Sequence, residues 1–289
     1  MKKPIHIITP EAGPLGNKYM IAHLSAHWQA WGYPVTVGPL ERLRDGIGLL
    51  HVDQTRVPAG LLPAVTDNRS LLNGRVLDIS KKSFSPLRLL PQDSWGGPVI
   101  VKSDLNCYGQ PEHIRRMAKN THPELLARLQ RSLDRFHRRA ARISWQLAHR
   151  LPHNEYPVLA NMSQIPDWVW NHEELIVERF LPERVGDAYS IRGWLFFGER
   201  GYAYRLYSNS PVVKAGNISH FDILDSVPQE LQALRREYGF DFGKFDYVEV
   251  DGRAVLIDIN KTPTTVAKQD SPRLRDLAEG IHDFPGMGN

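Results

Sequence analysis

Three oxygen-bearing side chains near the C-terminal end have a spacing that can do chemistry. In "DYVEVDGRAVLIDINKTPTT" an apolar run starting at Val255 is broken at alternate positions by Asp258 and Asn260, and Asp246 begins the run before it. Side chains two apart on a strand point to the same face. Asp251-Gly252 between two alternating runs is a hairpin signal, so strand pairing brings Asp246 beside Asp258 and Asn260. Two carboxylates and an amide oxygen on one face suit a hard cation such as Mg²⁺, which takes one or two carboxylates and leaves room for water and phosphate oxygens. The same pattern also fits a polar strand end that caps the turn at Thr262-Pro263.

Two earlier stretches add to that cluster. "GPVIVKSDLN" puts Lys102 at the end of an apolar strand, where an ammonium can meet a phosphate as a point charge. "LIVERFLPE" is an apolar strand closing on Glu178 and the turn residues Phe180 to Pro182, a segment able to line an apolar slot for a flat ring. Other motifs fall short. "EAGPLGNK" follows a strand but lacks both G-x-G and G-K-[ST], and His23 and His27 lie i, i+4 with Leu24 where a zinc enzyme has glutamate. No G-x-S-x-G is present, and Cys107 reads as a loop residue.

The order "PVIVK", then "LIVERFLPE…YSIRGWLFFGE", then "YGFDFGKFDYVEVDG…VLIDINKTP" resembles the ATP-grasp superfamily, in the branch of ribosomal-protein glutamate ligases and glutathione-synthetase-like enzymes. The resemblance covers about residues 97 to 265. It implies an α/β fold in which two antiparallel sheets sandwich ATP, preceded by a small α/β domain. It also implies a ligase that forms an acyl phosphate from a carboxylate, joins it to an amine, and releases ADP and phosphate, using ATP and Mg²⁺ (or Mn²⁺). Position by position, it places Lys102 on the nucleotide phosphates, Glu178, Arg179, Phe180 and Leu181 at the adenine hinge, and Asp246, Asp258 and Asn260 on the metal. Arg205 and Asn217 fall where the family contacts the γ-phosphate and acyl phosphate, and Lys81 or Lys82 matches the family's first lysine. Ser190 occupies the slot of the ribose carboxylate, so Glu183 or Asp187 would have to substitute. The glycine-rich loop expected after Lys102 is reduced to "NCYGQPE". Kinases share this fold, so phosphorylation of a small molecule is the alternative reaction within it.

The elements that must position these residues alternate along the chain. "PIHIIT", "PVTV" and "IGLLHVD" read as strands around an amphipathic helix from Asn17 to Trp31, whose apolar stripe is Met20, Ile21, Leu24, Trp28 and Trp31. Gly32-Tyr33-Pro34 stops that helix. A hairpin turning at Gly198 to Gly201, a helix around Pro228 to Tyr238 and the Asp251-Gly252 hairpin follow. The pattern gives three regions: an N-terminal α/β domain over 1–95, a lid over 96–182, and a metal-bearing C-terminal subdomain over 183–289. A long basic helix is expected from Pro123 to Arg150. It carries Arg128, and its Arg131, Arg135, Arg138, Arg139 and Arg142 make a cationic face that would track phosphates if the chain bound nucleic acid instead, or serve as a lid or substrate-recognition element.

Composition sets outer limits. With 42% apolar and 24% charged residues the chain reads as a globular protein. It has no run of about 18 apolar residues, so no membrane partner is expected. A lone cysteine, Cys107, points to a reducing, cytoplasmic compartment. A net charge of +4 suits polyanionic partners such as nucleotide phosphates. The expected substrates are small-molecule or peptide carboxylates and amines, with a homodimer possible and nucleic acid disfavoured.

Overall fold

The computed structural model describes residues 2–65, 67, 70–119, 132, 139–265 and 269–288. The chain divides into two compact units, one formed by Met1–Ile79 with Pro182–Asn289 and the other by Ser80–Leu181.

The first unit begins with a parallel sheet. Strands β1 (Ile5–Ile8), β2 (Val35–Gly38), β4 (Ile47–Leu50) and β6 (Leu71–Leu72) lie in the order β2-β1-β4-β6, and β3 (Arg42–Leu43) pairs with β5 (Ala64–Val65). Helix α1 runs from Met20 to Ala30 and buries Met20, Ile21, Leu24 and Trp28 of the expected stripe, whereas Trp31 is its partly buried C-cap. It starts later than Asn17 because Met20 N–H donates to Pro263 O at 2.9 Å, so the residues after the last strand tie down its first turn. Gly32, at φ +84°, supplies the left-handed residue that ends it. Strand β4 ends at Leu50, so His51 to Asp53 leave the sheet rather than extend it.

The same unit holds a larger antiparallel sheet. β12 (Ala188–Phe197) pairs with β13 (Arg200–Ser208) through a two-residue turn at Gly198-Glu199. β14 (His220–Leu224) lies beyond β13, β15 (Phe242–Val250) on the other side of β12, and β16 (Arg253–Asn260) next to β15, with β11 (Glu183–Val185) on β12. Asp251 and Gly252, at φ +51° and +74°, form the expected two-residue loop between β15 and β16. Leu195, Phe197 and Phe242 share one core with Ile5, Leu24 and Trp28, so the parallel and antiparallel sheets fold together.

The second unit is built on an antiparallel sheet in the order β7-β10-β8-β9: β7 (Arg88–Leu89), β10 (Leu175–Arg179), β8 (Val99–Ser103) and β9 (Val158–Leu159). Val99, Val101, Leu175 and Val177 turn one face into a core with Ile165 and Val169. Their alternates, Ile100, Lys102, Ile176 and Glu178, take the other face.

Most of the expected basic helix, including Arg128, Arg131, Arg135 and Arg138, lies outside the described residues. Its C-terminal bound is corrected: Arg139 to Ile143 are helical, but Trp145 to His149 form turns. Packing decides this. The His149 ring stacks on Trp168 at 5.2 Å, and Trp168 Nε1 donates to Gln146 O at 3.1 Å, which holds the chain out of helical register.

Candidate active site

The chemistry-bearing residues form two groups, one in each unit. In the second unit Lys102 and Glu178 lie diagonally across β8 and β10, since Lys102 faces Ile176 and Glu178 faces Ile100. Lys102 Nζ stands 2.7 Å from Glu178 Oε2, and the Glu178 side chain has no solvent exposure. Among the described residues neither carboxylate oxygen accepts a well-aligned hydrogen bond, so the contact is an ion pair held by charge. Arg179 and Phe180 N–H donate to Leu87 O and Pro98 O, each at 2.9 Å, and the Arg179 guanidinium donates to Pro86 O at 2.7 Å. Those hydrogen bonds leave the backbone at Leu181 as the part of the expected hinge beyond the sheet. Of the two candidate first lysines, Lys81 is the buried one, at 3% exposure. The Lys82 ammonium donates to Glu173 O at 2.6 Å.

The second group sits on the β15–β16 hairpin. Asp246 lies directly opposite Asp258, and Lys244 opposite Asn260. The four side chains therefore form a square on one face of the sheet. A register shift after Asp246 carries Leu256 opposite Tyr247 and makes Ile257 the extra residue. The bulge lets Leu256 enter the core at 1% exposure while Asp258, two residues on, keeps to the polar face. Asn260 Oδ1 accepts from Thr262 N–H at 2.8 Å, so Asn260 does cap the following turn. An amide oxygen has two lone pairs, and capping leaves one for a cation.

Lys244 is a member of this square that spacing alone did not single out. Its Nζ lies 2.7 Å from Asp246 Oδ2, with the two side chains 25% and 16% exposed. Burial alone would lower its pKa, but Asp246, Tyr204 and Asp258 reverse this and hold the ammonium above the ordinary lysine range. Tyr204 reaches the cluster across Gly193, where an added Cβ would meet the tyrosine Cζ at 2.4 Å. Burial pushes its phenol up to about 12, with Lys244 lowering and Asp246 raising it. A lysine two residues before Asp246 in "FGKFDYV" was the readable signal.

Behind the hairpin, Asp53 accepts from Tyr19 Oη at 2.6 Å and from Thr262 Oγ1 at 3.1 Å. His51 is buried beside it, with neither ring nitrogen hydrogen-bonded among the described residues. Burial pushes the imidazole down to about 4, with Asp53 raising and Lys261 lowering it.

The remaining expected residues lie elsewhere. Arg205 faces Arg192, which faces Tyr247, whereas Tyr204 faces Gly193, which faces Asp246. Neighbouring positions on a strand point to opposite faces, so Arg205 and the Asp246–Asp258 pair lie on opposite faces of the sheet. Arg205 Nη2 stands 3.5 Å from Glu183 Oε1. Glu183 is buried and accepts from Arg192 Nε and Nη2 at 3.0 and 2.9 Å. Asn217 closes its own loop, with Nδ2 donating to Val212 O at 2.9 Å and Oδ1 accepting from Lys214 N–H at 2.8 Å. Asp187 is exposed in the turn between β11 and β12.

Among the described residues no three or more His, Cys, Asp and Glu side chains group as metal ligands. No helix among the described residues is long and apolar enough to cross a membrane.

No family model matches the sequence, and no curated protein does. The chain is similar in structure to solved ATP-grasp proteins. A RimK-domain ATP-grasp protein from Sphaerobacter thermophilus aligns over 96% of this chain and 98% of its own, at 13% identity and a TM-score of 0.45. The macrocyclase MdnC from Microcystis aeruginosa, solved with its precursor peptide MdnA, aligns over 96% and 99% at 10% identity and a TM-score of 0.49. A D-alanine–D-alanine ligase from Bacillus anthracis aligns over 98% and 97% at 9% identity and a TM-score of 0.44.

Proposed function

We propose that this chain is an ATP- and Mg²⁺-dependent carboxylate–amine ligase working through an acyl phosphate. The observation that carries the reading is the hairpin face on which Asp246 stands opposite Asp258 and beside Lys244 and Asn260. Two carboxylates and an amide oxygen fit the donor set of Mg²⁺, which completes its octahedron with water and phosphate. When bound, the ion neutralises charge on the phosphates during phosphoryl transfer.

The chain's own residues supply the rest of the kit. Lys102 offers a point charge to a phosphate, and Glu178 fixes where that ammonium sits. Lys81, buried at the start of a short helix over Lys81–Phe84, offers a second cation. Leu181 follows the last strand residue by two positions and offers backbone to a ring edge. Acyl-phosphate chemistry asks little covalent work of a protein beyond positioning and charge neutralisation. The reading rests on these groups and not on Arg205 or Asn217, whose side chains are engaged by Glu183 and by a local loop.

The test is incubation with Mg-ATP and pools of amino acids and peptides, following ADP and phosphate. Release of both, dependent on a carboxylate and an amine together, is the expected result. ADP without phosphate would mark a kinase. No release with any pool, and no thermal stabilisation by Mg-ATP, would overturn the reading.

A further inference from the structure

On the face of the antiparallel sheet opposite Asp246, the first unit holds a cavity of about 1190 Å³. Trp194 and Ala203 face each other in its lining, and they alternate with Gly193 and Tyr204 of the Asp246 face. The opening arises because β14 stops at Leu224, opposite Ala203. Beyond that point the chain departs through Asp225 and Ser226 into a helix over Gln229–Tyr238. The outer edge of β13 at Arg200–Tyr202 is left without a neighbouring strand among the described residues. Such an edge is a template for an extended backbone.

The lining holds polar groups with nothing to bind. The Trp194 side chain is only 6% exposed, yet its Nε1–H donates to no described residue, and a buried indole N–H ordinarily finds an acceptor. A Cβ at Gly201 would lie 3.1 Å from that nitrogen, so the glycine leaves the space beside it open. Four arginines and four carboxylates line the cavity, which gives a polyanion no net attraction. Several are engaged within the fold. Arg235 donates to Gly198 O and Phe240 O, and Asp241 and Asp283 accept from the N–H groups of Asn73 and Glu199. Asp225 and Arg236 make neither an ion pair nor a hydrogen bond among the described residues. Asp225 precedes the helix and Arg236 stands in its last turn, and the rise from Pro228 to Arg236 is about 12 Å. An extended backbone of two or three residues spans about 7–10 Å, and the two side chains supply the rest.

We propose that this cavity is a second ligand site, which takes a free peptide of two or three residues in extended form. The peptide's ammonium meets Asp225, its carboxylate meets Arg236, and one of its carbonyls accepts the Trp194 indole N–H beside the edge of β13. Phe240 and Phe284 in the lining receive an apolar side chain. The site goes beyond the ligase reading and does not depend on it, because its lining shares no residue with the Asp246–Asp258 face.

The probe is the tripeptide Ala-Phe-Ala, added to the full-length protein without ATP or metal. Binding is followed by calorimetry and by the indole N–H resonances of the ¹⁵N-labelled protein. The Trp194 resonance, identified by its loss in Trp194→Phe, should shift downfield as the tripeptide binds. Capping either terminus of the tripeptide should weaken binding about tenfold, as should Arg236→Gln or Asp225→Asn. Free L-phenylalanine is too short to reach both charges and should bind more weakly by about the same factor. Asp258→Asn should bind the tripeptide as the wild type does. Thermal melting checks each variant, and the two exposed charge variants carry the test if Trp194→Phe fails to fold. No binding at millimolar tripeptide, or wild-type affinity in both Arg236→Gln and Asp225→Asn, would overturn the site and leave the ligase reading standing. L-phenylalanine binding as tightly as the tripeptide would overturn the peptide assignment. Loss of binding in Asp258→Asn would place the tripeptide on the candidate active face and overturn the second site.

Discussion

Each unit buries a lysine against a carboxylate at the same distance, 2.7 Å, yet the two pairs differ in kind. Lys102 and Glu178 meet across neighbouring strands, and Glu178 is fully excluded from solvent. That pair is closed to solvent at its carboxylate. Lys244 and Asp246 share a strand and look across at Asp258 and Asn260, on a face with partial solvent access. A closed pair fixes the position of its lysine, whereas an open cluster leaves its lysine within reach of solvent. Distance alone would score the two alike, and burial separates them.

The largest effect should come from opening the closed pair. Lys102→Met leaves the Glu178 carboxylate buried without a counter-charge, and breaking such a pair costs about 3–5 kcal/mol. Denaturant unfolding should show that loss, and Lys102→Met/Glu178→Leu should recover most of it. Lys244→Met should cost less, because solvent and cations reach its partners. Equal losses at Lys102 and Lys244 would erase the distinction.

His51 tests a buried group of the first unit that has no carboxylate bonded to it among the described residues. Its ring answers to burial, Asp53 and Lys261. The unfolded chain takes up a proton near 6.5 and the folded chain only near 4, so stability present above that window is lost as pH falls through it. The full window is worth about 3 kcal/mol. Unfolding measured from pH 7 to 4 should show this slope in the wild type and a shallower one in His51→Leu. An unchanged slope in His51→Leu would assign the acid sensitivity to the carboxylates.

A third change acts on the open cluster without touching a closed pair. Asp258→Asn keeps the shape and removes one carboxylate charge. It should lower turnover by about 100-fold, or about 2.7 kcal/mol, and leave ATP affinity nearly unchanged by calorimetry. Wild-type turnover would make the strand-cap role of Asn260 the whole function of this face. The smallest effect is expected at Thr262→Val, which removes the hydroxyl's hydrogen bond to Asp53. It should cost about 1 kcal/mol of stability and weaken metal binding slightly, since the turn that Asn260 caps is then held at fewer points.

Some of this site follows from local chain physics, which a sequence carries in full. The left-handed residues Asp251 and Gly252 set a two-residue turn, and the two-residue repeat puts Asp258 and Asn260 on one face whatever surrounds them. The apolar stripe of α1 is set by the same kind of local period. Lys102 and Glu178 were each visible at the end of an apolar run, but not their contact, which depends on how β8 registers on β10.

Tertiary structure decided the rest. Whether Arg205 shares a face with Asp246 depends on the pairing of β12 with β15, segments some fifty residues apart in sequence, and no local period reports on that register. The extra residue at Ile257 reverses the facing of Leu256 relative to Asp258, and a bulge is chosen by the fit of two strands. The basic helix was expected to reach Arg150 on propensity, but stacking of His149 on Trp168 ends it sooner. Lys244 became a counter-ion only when folding set its ammonium beside Asp246, because a charge acquires its role from the charges that non-local contacts bring near it.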